Sequence, residues 1–200
     1  MNQSGFWWIL IASAVYGVIH SVTASLQCKQ IAAKIFGEPG RRYYRLAYVI
    51  FSLITTPLYA ALVLLLPDTR LYIIPQPWII ITGFIQLLAL VGMMLSFRGT
   101  GAIAFLGLDS LFTKNAAPVK NTLNTGGFYK YSRHPIYFFS LVFLWLFPLM
   151  SWNILALAIG VTVYTLIGSL IEERKLVGEF GQAYIDYRKV TPWIIPIKLK

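Results

Sequence analysis

Apolar positions along the chain gather into five blocks, and the polar positions fill the gaps between them. Three blocks are long, Phe6–Leu26, Tyr44–Leu66 and Trp78–Ser96, and two are shorter, Pro135–Met150 and Trp152–Ile171. A helix of about 20 apolar residues crosses a hydrocarbon core of roughly 30 Å, so the pattern predicts five membrane helices. Only Met-Ser-Trp-Asn intervenes between the fourth and fifth blocks. These two are expected to fold as a tight antiparallel hairpin, with Pro148 loosening its end. Beyond the fifth block the pattern changes. Leu176, Val177, Phe180, Tyr184 and Tyr187 lie on one stripe, which predicts an amphipathic helix. Gly178 and Gly181 weaken it, and a bend is expected there. "TPWIIP" then ends the helix and lays Trp193, Ile194 and Ile195 back towards the membrane interface.

Composition turns this pattern into a fold class. The chain of 200 residues is 58% hydrophobic and 12% charged, with a mean hydropathy of +0.67, whereas soluble domains carry about 25% charged residues. The expected class is an all-α integral membrane protein, read as one membrane domain over 1–200. Three spans fill 1–96, a cytoplasmic loop 97–134, a helical hairpin 135–171 and a cytoplasmic amphipathic tail 172–200. The first block has no basic n-region before it and no small-residue cleavage site after it, so it is expected to stay in the mature protein. No internal repeat or low-complexity tract interrupts this plan. The long loop is rich in Gly, Asn and Thr but keeps Phe105, Leu106, Leu108, Leu111, Phe112, Leu123, Phe128 and Tyr129. A loop of that length and content is expected to pack over the helices.

Charge supplies the orientation. Lys29, Lys34, Arg41, Arg42 and Arg45 follow the first block, Arg98, Lys114, Lys120, Lys130 and Arg133 the third, and Arg174, Lys175, Arg188, Lys189, Lys198 and Lys200 the fifth; Arg70 alone lies on the other side. The positive-inside rule then puts the N-terminus outside and the C-terminal tail in the cytoplasm, at what reads as a bacterial inner membrane. The net charge of +10 is thereby topological. Its dispersal over three loops excludes a nucleic-acid role, and contact with an anionic bilayer accounts for it. The single cysteine, Cys28, permits no internal disulfide. No metal is implied, because two separated histidines and one cysteine form no ligand set.

Candidate chemistry concentrates at the mouth of the hairpin. In "KYSRHPIYFF", Lys130–Phe139, Pro135 suits the first turn of a helix, and Arg133 and His134 precede an apolar run where a buried charge is expensive. Arg133 reaching headgroups and Tyr137 in an interfacial belt would be the plain explanation. Glu172 and Glu173 alter the balance, because the hairpin sets them at the same depth as Arg133 and His134. Acids beside hydrocarbon need a partner or water, and a helix C-terminus is electrostatically the wrong place for them. Arg133 is one candidate partner, and a cationic ligand is another. His20, in "GVIHSVTAS", lies in the cytoplasmic half of the first span. It is either a neutral imidazole bonded to a neighbouring helix or a functional group.

"GGFYKYSRHPIY", "EERKL" and "FGQAYIDY" with a terminal proline together resemble the C-terminal half of the isoprenylcysteine carboxyl methyltransferase and phospholipid methyltransferase superfamily. The similarity covers 121–196, while "GVIHSVTAS" and "YYRLAYVIFS" are similar to its branch of NnrU-like proteins and membrane thiol methyltransferases. The resemblance implies an S-adenosyl-L-methionine-dependent enzyme that methylates a small or lipophilic nucleophile at the cytoplasmic face: a thiol, a prenylcysteine-like carboxylate or a lipid amine. It makes 97–134 a cofactor loop, covered with the tail helix over the donor. Donor-binding positions fall on Asn121, Thr122, Leu123, Asn124, Tyr129, His134, Pro135, Tyr137, Glu172 and Glu173. Arg133 would pair with the methionyl carboxylate or with the two glutamates. His20, Arg133 and Arg188 are the candidates for catalysis, with His20 as base for a thiol or amine. Two departures weigh against a carboxylate acceptor: Gly168 and Val190 stand where prenylcysteine enzymes carry arginines, and Arg188 is left to compensate. "RGTG" at Arg98–Gly101 is expected to be a turn rather than a glycine pair at the donor. The alternative from another class is a non-catalytic NnrU-like membrane protein linked to nitrogen-oxide or haem metabolism.

Overall fold

The computed structural model describes residues 4–98, 108, 111 and 122–197. Among them run α1 (Phe6–Thr23), α2 (Leu26–Leu65), β1 (Arg70–Ile73), α3 (Trp78–Arg98), a 3₁₀ turn (Gly127–Lys130), α4 (Pro135–Trp145), β2 (Leu149–Ser151), α5 (Trp152–Phe180) and α6 (Gln182–Val190). Four helices, α1, α2, α3 and α5, are long and apolar enough to cross a membrane. Large apolar side chains stand on the surface, with Leu64 86% and Met94 72% exposed, as expected of a face made for lipid. The chain divides into two compact units: 4–69 with 108, 111 and 152–160, and 70–98 with 122–151 and 161–197.

The first unit is built from α1, α2 and the start of α5. The polar stretch after the first apolar block is helical, not a loop. Ser25 caps α2 by accepting from Cys28 N at 3.2 Å, and α2 runs on into the second block. Its 40 residues are two helices joined at Gly37, whose φ of 63° and ψ of −136° break the helical path. The core is Ile9, Val63 and Ala156. At the other end of α2, the Asn153 amide donates to the carbonyls of Val63, Leu66 and Pro67 at 3.3, 3.2 and 3.3 Å. Those of Val63 and Leu66 are carbonyls that the helix end leaves unpaired. Gly5 N donates to Pro67 O at 2.6 Å and ties the chain start to the same place.

The second unit packs α4 on α3. Phe139 lies on Gly92 so closely that a Cβ there would meet the ring at 2.6 Å, and Gln86 Nε2 donates to Phe143 O at 2.8 Å. The fourth apolar block holds an α-helix of only 11 residues, about 16 Å at 1.5 Å per residue. It stops because Phe147 precedes Pro148, which disfavours the helical region, and because Leu149–Ser151 goes into a strand. That strand pairs antiparallel with β1, Ile73 opposite Leu149, Tyr72 opposite Met150 and Arg70 opposite Ser151, with an irregularity between Arg70 and Tyr72. The structure is mostly helical, as expected, with one small two-stranded sheet added; the expected hairpin turn is divided between β2, which takes Met150 and Ser151, and α5, which starts at Trp152. The tail bends at Gly181 (φ 56°, ψ −129°), while Gly178 stays inside α5. Of the residues expected at the interface, Ile195 is exposed but Ile194 is buried.

Candidate functional site

Ser132, Arg133 and His134 enter α4 from a backbone fixed by the tail. Arg133 N donates to Pro192 O and Trp193 O at 2.9 and 3.0 Å, and His134 N donates to Trp193 O at 3.2 Å. The Ser132 hydroxyl bonds the carbonyls of Trp193 and Ile194 at 3.1 and 2.8 Å. Pro135, buried at N1 of α4, fixes the direction in which the helix leaves. "SRHP" and "TPWIIP" thus hold each other through main-chain bonds, which the two apolar patterns did not announce.

Against this frame the last turns of α5 deliver two acids. Glu173 is buried; its Oε1 lies 3.0 Å from Arg133 Nε and 3.4 Å from His134 Nε2, and its Oε2 lies 3.4 Å from Arg188 Nε. Glu172 Oε2 accepts from the Tyr137 hydroxyl at 2.9 Å and lies 3.5 Å from His134 Nδ1. The His134 ring, itself buried, stacks on Tyr137 with centroids 5.3 Å apart and planes within 9°. The two neighbouring acids differ sharply. Two guanidinium groups flank Glu173, whereas the Glu172 side chain is 45% exposed and keeps a face open to a polar ligand.

Tyrosines complete the surroundings. Tyr187 donates to Tyr129 O at 2.6 Å, tying α6 to the 3₁₀ turn. Burial, reinforced by Glu172, raises the Tyr129 phenol above its ordinary pKa; burial with Glu173 nearby raises Tyr184, and burial with Tyr129 nearby lifts Tyr187 to about 12. All three stay protonated at neutral pH. The Tyr184 hydroxyl is buried without a hydrogen-bond partner, in a residue 1% exposed. It was legible only as part of the apolar stripe.

Beside this cluster, Phe128, Tyr131, Ser132, Pro135, Phe138, Phe139 and Pro196 line a hollow of about 230 Å³. Pro135, Phe138 and Phe139 present a different face of α4 from Tyr137, so acid cluster and hollow flank the same helix start. The structure brings together Arg133, His134, Tyr137, Glu172, Glu173 and Arg188, with Pro135 and Tyr129 next to them. Asn121 and the Gly99–Gly101 part of "RGTG" lie outside the described residues. Thr122 is exposed, and Asn124 accepts from its own Gly126 N at 3.0 Å, a local turn. His20 belongs to the first unit, where Nε2 lies 2.7 Å from the Tyr48 hydroxyl and the ring stacks on Tyr16. Among the described residues no group of three or more His, Cys, Asp or Glu is arranged to hold a metal ion.

Comparison with known proteins bears on the same stretch. The chain is 29% identical over 194 residues to Methanethiol S-methyltransferase 1 of Bradyrhizobium diazoefficiens, covering 94% of this chain and 65% of that protein. To Methanethiol S-methyltransferase 2 of the same organism it is 29% identical over 196 residues, covering 94% and 71%. To the Methanethiol S-methyltransferase of Pseudomonas deceptionensis it is 38% identical over 89 residues, covering 44% and 33%. The matched part of the chain thus spans from 33% to 71% of the length of these relatives. No solved structure gives a significant match. A sequence model described as phospholipid methyltransferase matches residues 78–183, from the first residue of α3 into α6. Because that match takes in more than half of the chain, and with it the entry to α4 and both glutamates, the chain belongs to the phospholipid methyltransferase family.

Proposed function

We propose that this protein transfers a methyl group from S-adenosyl-L-methionine to a small thiol at the cytoplasmic face of a membrane. The observation that carries the reading is the Glu172–His134–Tyr137 cluster: a carboxylate that is held by a phenol and an imidazole yet half open. When bound, the donor supplies a methyl group made electrophilic by its sulfonium. The residues present fit such a group. Glu172 has an open face to accept from an ammonium or ribose hydroxyls, and the buried Tyr184 hydroxyl, without a partner, is a spare donor. Tyr129 offers an aromatic ring close enough to Glu172 to feel its charge. Asn121, Thr122, Leu123 and Asn124 remain proposed donor contacts. Arg133 and Arg188 are both engaged by Glu173, which favours their role in positioning the cluster over direct pairing with the methionyl carboxylate.

The protein's remaining task is to exclude water and align the acceptor. The hollow flanking Pro135 is lined almost wholly by apolar and aromatic groups, which suits an alkyl thiol better than a charged headgroup or a carboxylate. The names of the relatives point the same way. A thiol gives up its proton on methylation, and His20 is the base proposed for it. Five spans remain the proposed topology, N-terminus outside and C-terminus in the cytoplasm. The three strand residues Leu149–Ser151, at roughly 3.3 Å each, add about 10 Å to the reach of the short helix α4.

The test is methyl transfer by purified protein in nanodiscs, with labelled donor offered against methanethiol, a phosphatidylethanolamine and a prenylcysteine. The expected result is label in the volatile thioether. Label in the lipid would replace the thiol by an amine acceptor, and label in neither would refute transferase activity.

A further inference from the structure

A second hollow, of about 450 Å³, lies in the first unit at the bend of α2, lined by Leu26, Lys29, Gln30, Ala33, Lys34 and Arg41. We infer that it is a binding site for the phosphate of an anionic lipid headgroup. Leu26, Lys29, Gln30, Ala33 and Lys34 recur every three or four residues and so form one face of the helix before the bend, while Arg41 comes from beyond it. Two glycines make that convergence possible. Gly37 has φ of 63°, and a Cβ there would touch nothing, so the glycine serves the backbone alone: a left-handed turn that ordinary residues avoid. A Cβ on Gly40 would meet Ala32 O at 2.2 Å, so the segment after the bend folds back against the one before it only without a side chain.

Three cations therefore border one concavity whose lining includes no acid. The nearby Glu38 pairs with Arg41 Nη1 at 3.2 Å, but both side chains are mostly exposed, and such surface pairs are worth little. A phosphate oxygen can displace that carboxylate. The phosphate could come from a lipid or from solution, and the surroundings favour a lipid. Ile31 and Ile35 are both exposed on the same short helix, away from its basic face, which is the division of an interfacial helix. The membrane-length helix α1 also ends at Thr23, just before this segment, so the basic face lies at headgroup level.

The test uses the full chain in detergent, titrated with a soluble short-chain phosphatidylglycerol, the phosphatidylcholine of the same chain length, and inorganic phosphate, read by native mass spectrometry and by unfolding temperature. Phosphatidylglycerol is expected to bind at least tenfold more tightly than either of the others. Combined Lys29→Gln, Lys34→Gln and Arg41→Gln, all at exposed positions, removes that preference, and the single reversal Lys34→Glu weakens it should the triple variant not fold. Glu38→Gln strengthens binding. Undiminished preference in the charge variants, or inorganic phosphate binding as tightly as phosphatidylglycerol, would overturn the inference.

Discussion

The two histidines of the chain occupy opposite kinds of surroundings. His20 sits in a ladder of hydroxyls and rings between α1 and α2: Ser13 with the Tyr59 hydroxyl at 2.6 Å, Tyr16 stacked on Tyr59 at 4.9 Å, His20 with Tyr48, and the Tyr44 hydroxyl donating to Thr23 O at 2.6 Å. The hydroxyls and rings named in that ladder are neutral. His134 has carboxylate oxygens within 3.5 Å of both ring nitrogens and an arginine beside each of the acid's oxygens at Glu173. Neutral ladders can rest in a membrane, since each donor finds an acceptor and no charge is desolvated. A charged cluster costs desolvation and adds little to stability over an apolar replacement. Such a cluster invites a functional explanation, whereas helix packing accounts for the ladder apart from the role proposed for His20.

That contrast can be broken or sharpened by substitution. The largest effect is expected from Glu173→Ala, which leaves the mostly buried Arg133 without its carboxylate; removal of one member of a buried pair costs about 3 kcal/mol, to be seen as a lowered unfolding temperature in detergent. Glu172→Gln is next. Its side chain is half open, so unfolding should change little, while donor binding weakens at least tenfold, about 1.4 kcal/mol, by titration calorimetry. Tyr137→Phe removes the donor to Glu172 Oε2 and should cost about 1 kcal/mol of donor affinity, a smaller loss in the same titration. Smallest on that scale is His20→Phe. Donor affinity stays within about twofold, and losing the hydrogen bond to Tyr48 costs about 1 kcal/mol in stability, while turnover on a thiol falls if the residue serves as base. A donor-binding loss at His20 as large as at Glu172 would erase the distinction between the two regions.

Apolar blocks announced α1 and α3 almost to their ends, because a span of lipid-facing residues is a local property of composition. The acid pair and "RHP" were legible for a related reason: charges at the end of an apolar run are conspicuous, and their partners lay at the matching depth. What escaped was non-local. The pairing of Arg70–Ile73 with Leu149–Ser151 joins segments far apart in sequence, and strands of three or four residues leave no period to read. The main-chain bonds between "SRHP" and "TPWIIP" carry no side-chain signature at all. At Gly178 and Gly181 the letters are the same, yet only the second takes a positive φ, and Tyr184 and Tyr187 are buried on the helix that follows it. The helix from Leu26 to Phe36 was missed because its basic residues read as a loop, although Ser25 provided a cap.

The most direct measurement is the affinity of the purified protein for S-adenosyl-L-methionine, compared between wild type, Glu172→Gln and His20→Phe. The account predicts saturable binding by wild type, at least a tenfold loss in the first variant and near-wild-type affinity in the second. Equal affinity in wild type and Glu172→Gln, with both proteins folded, would contradict it.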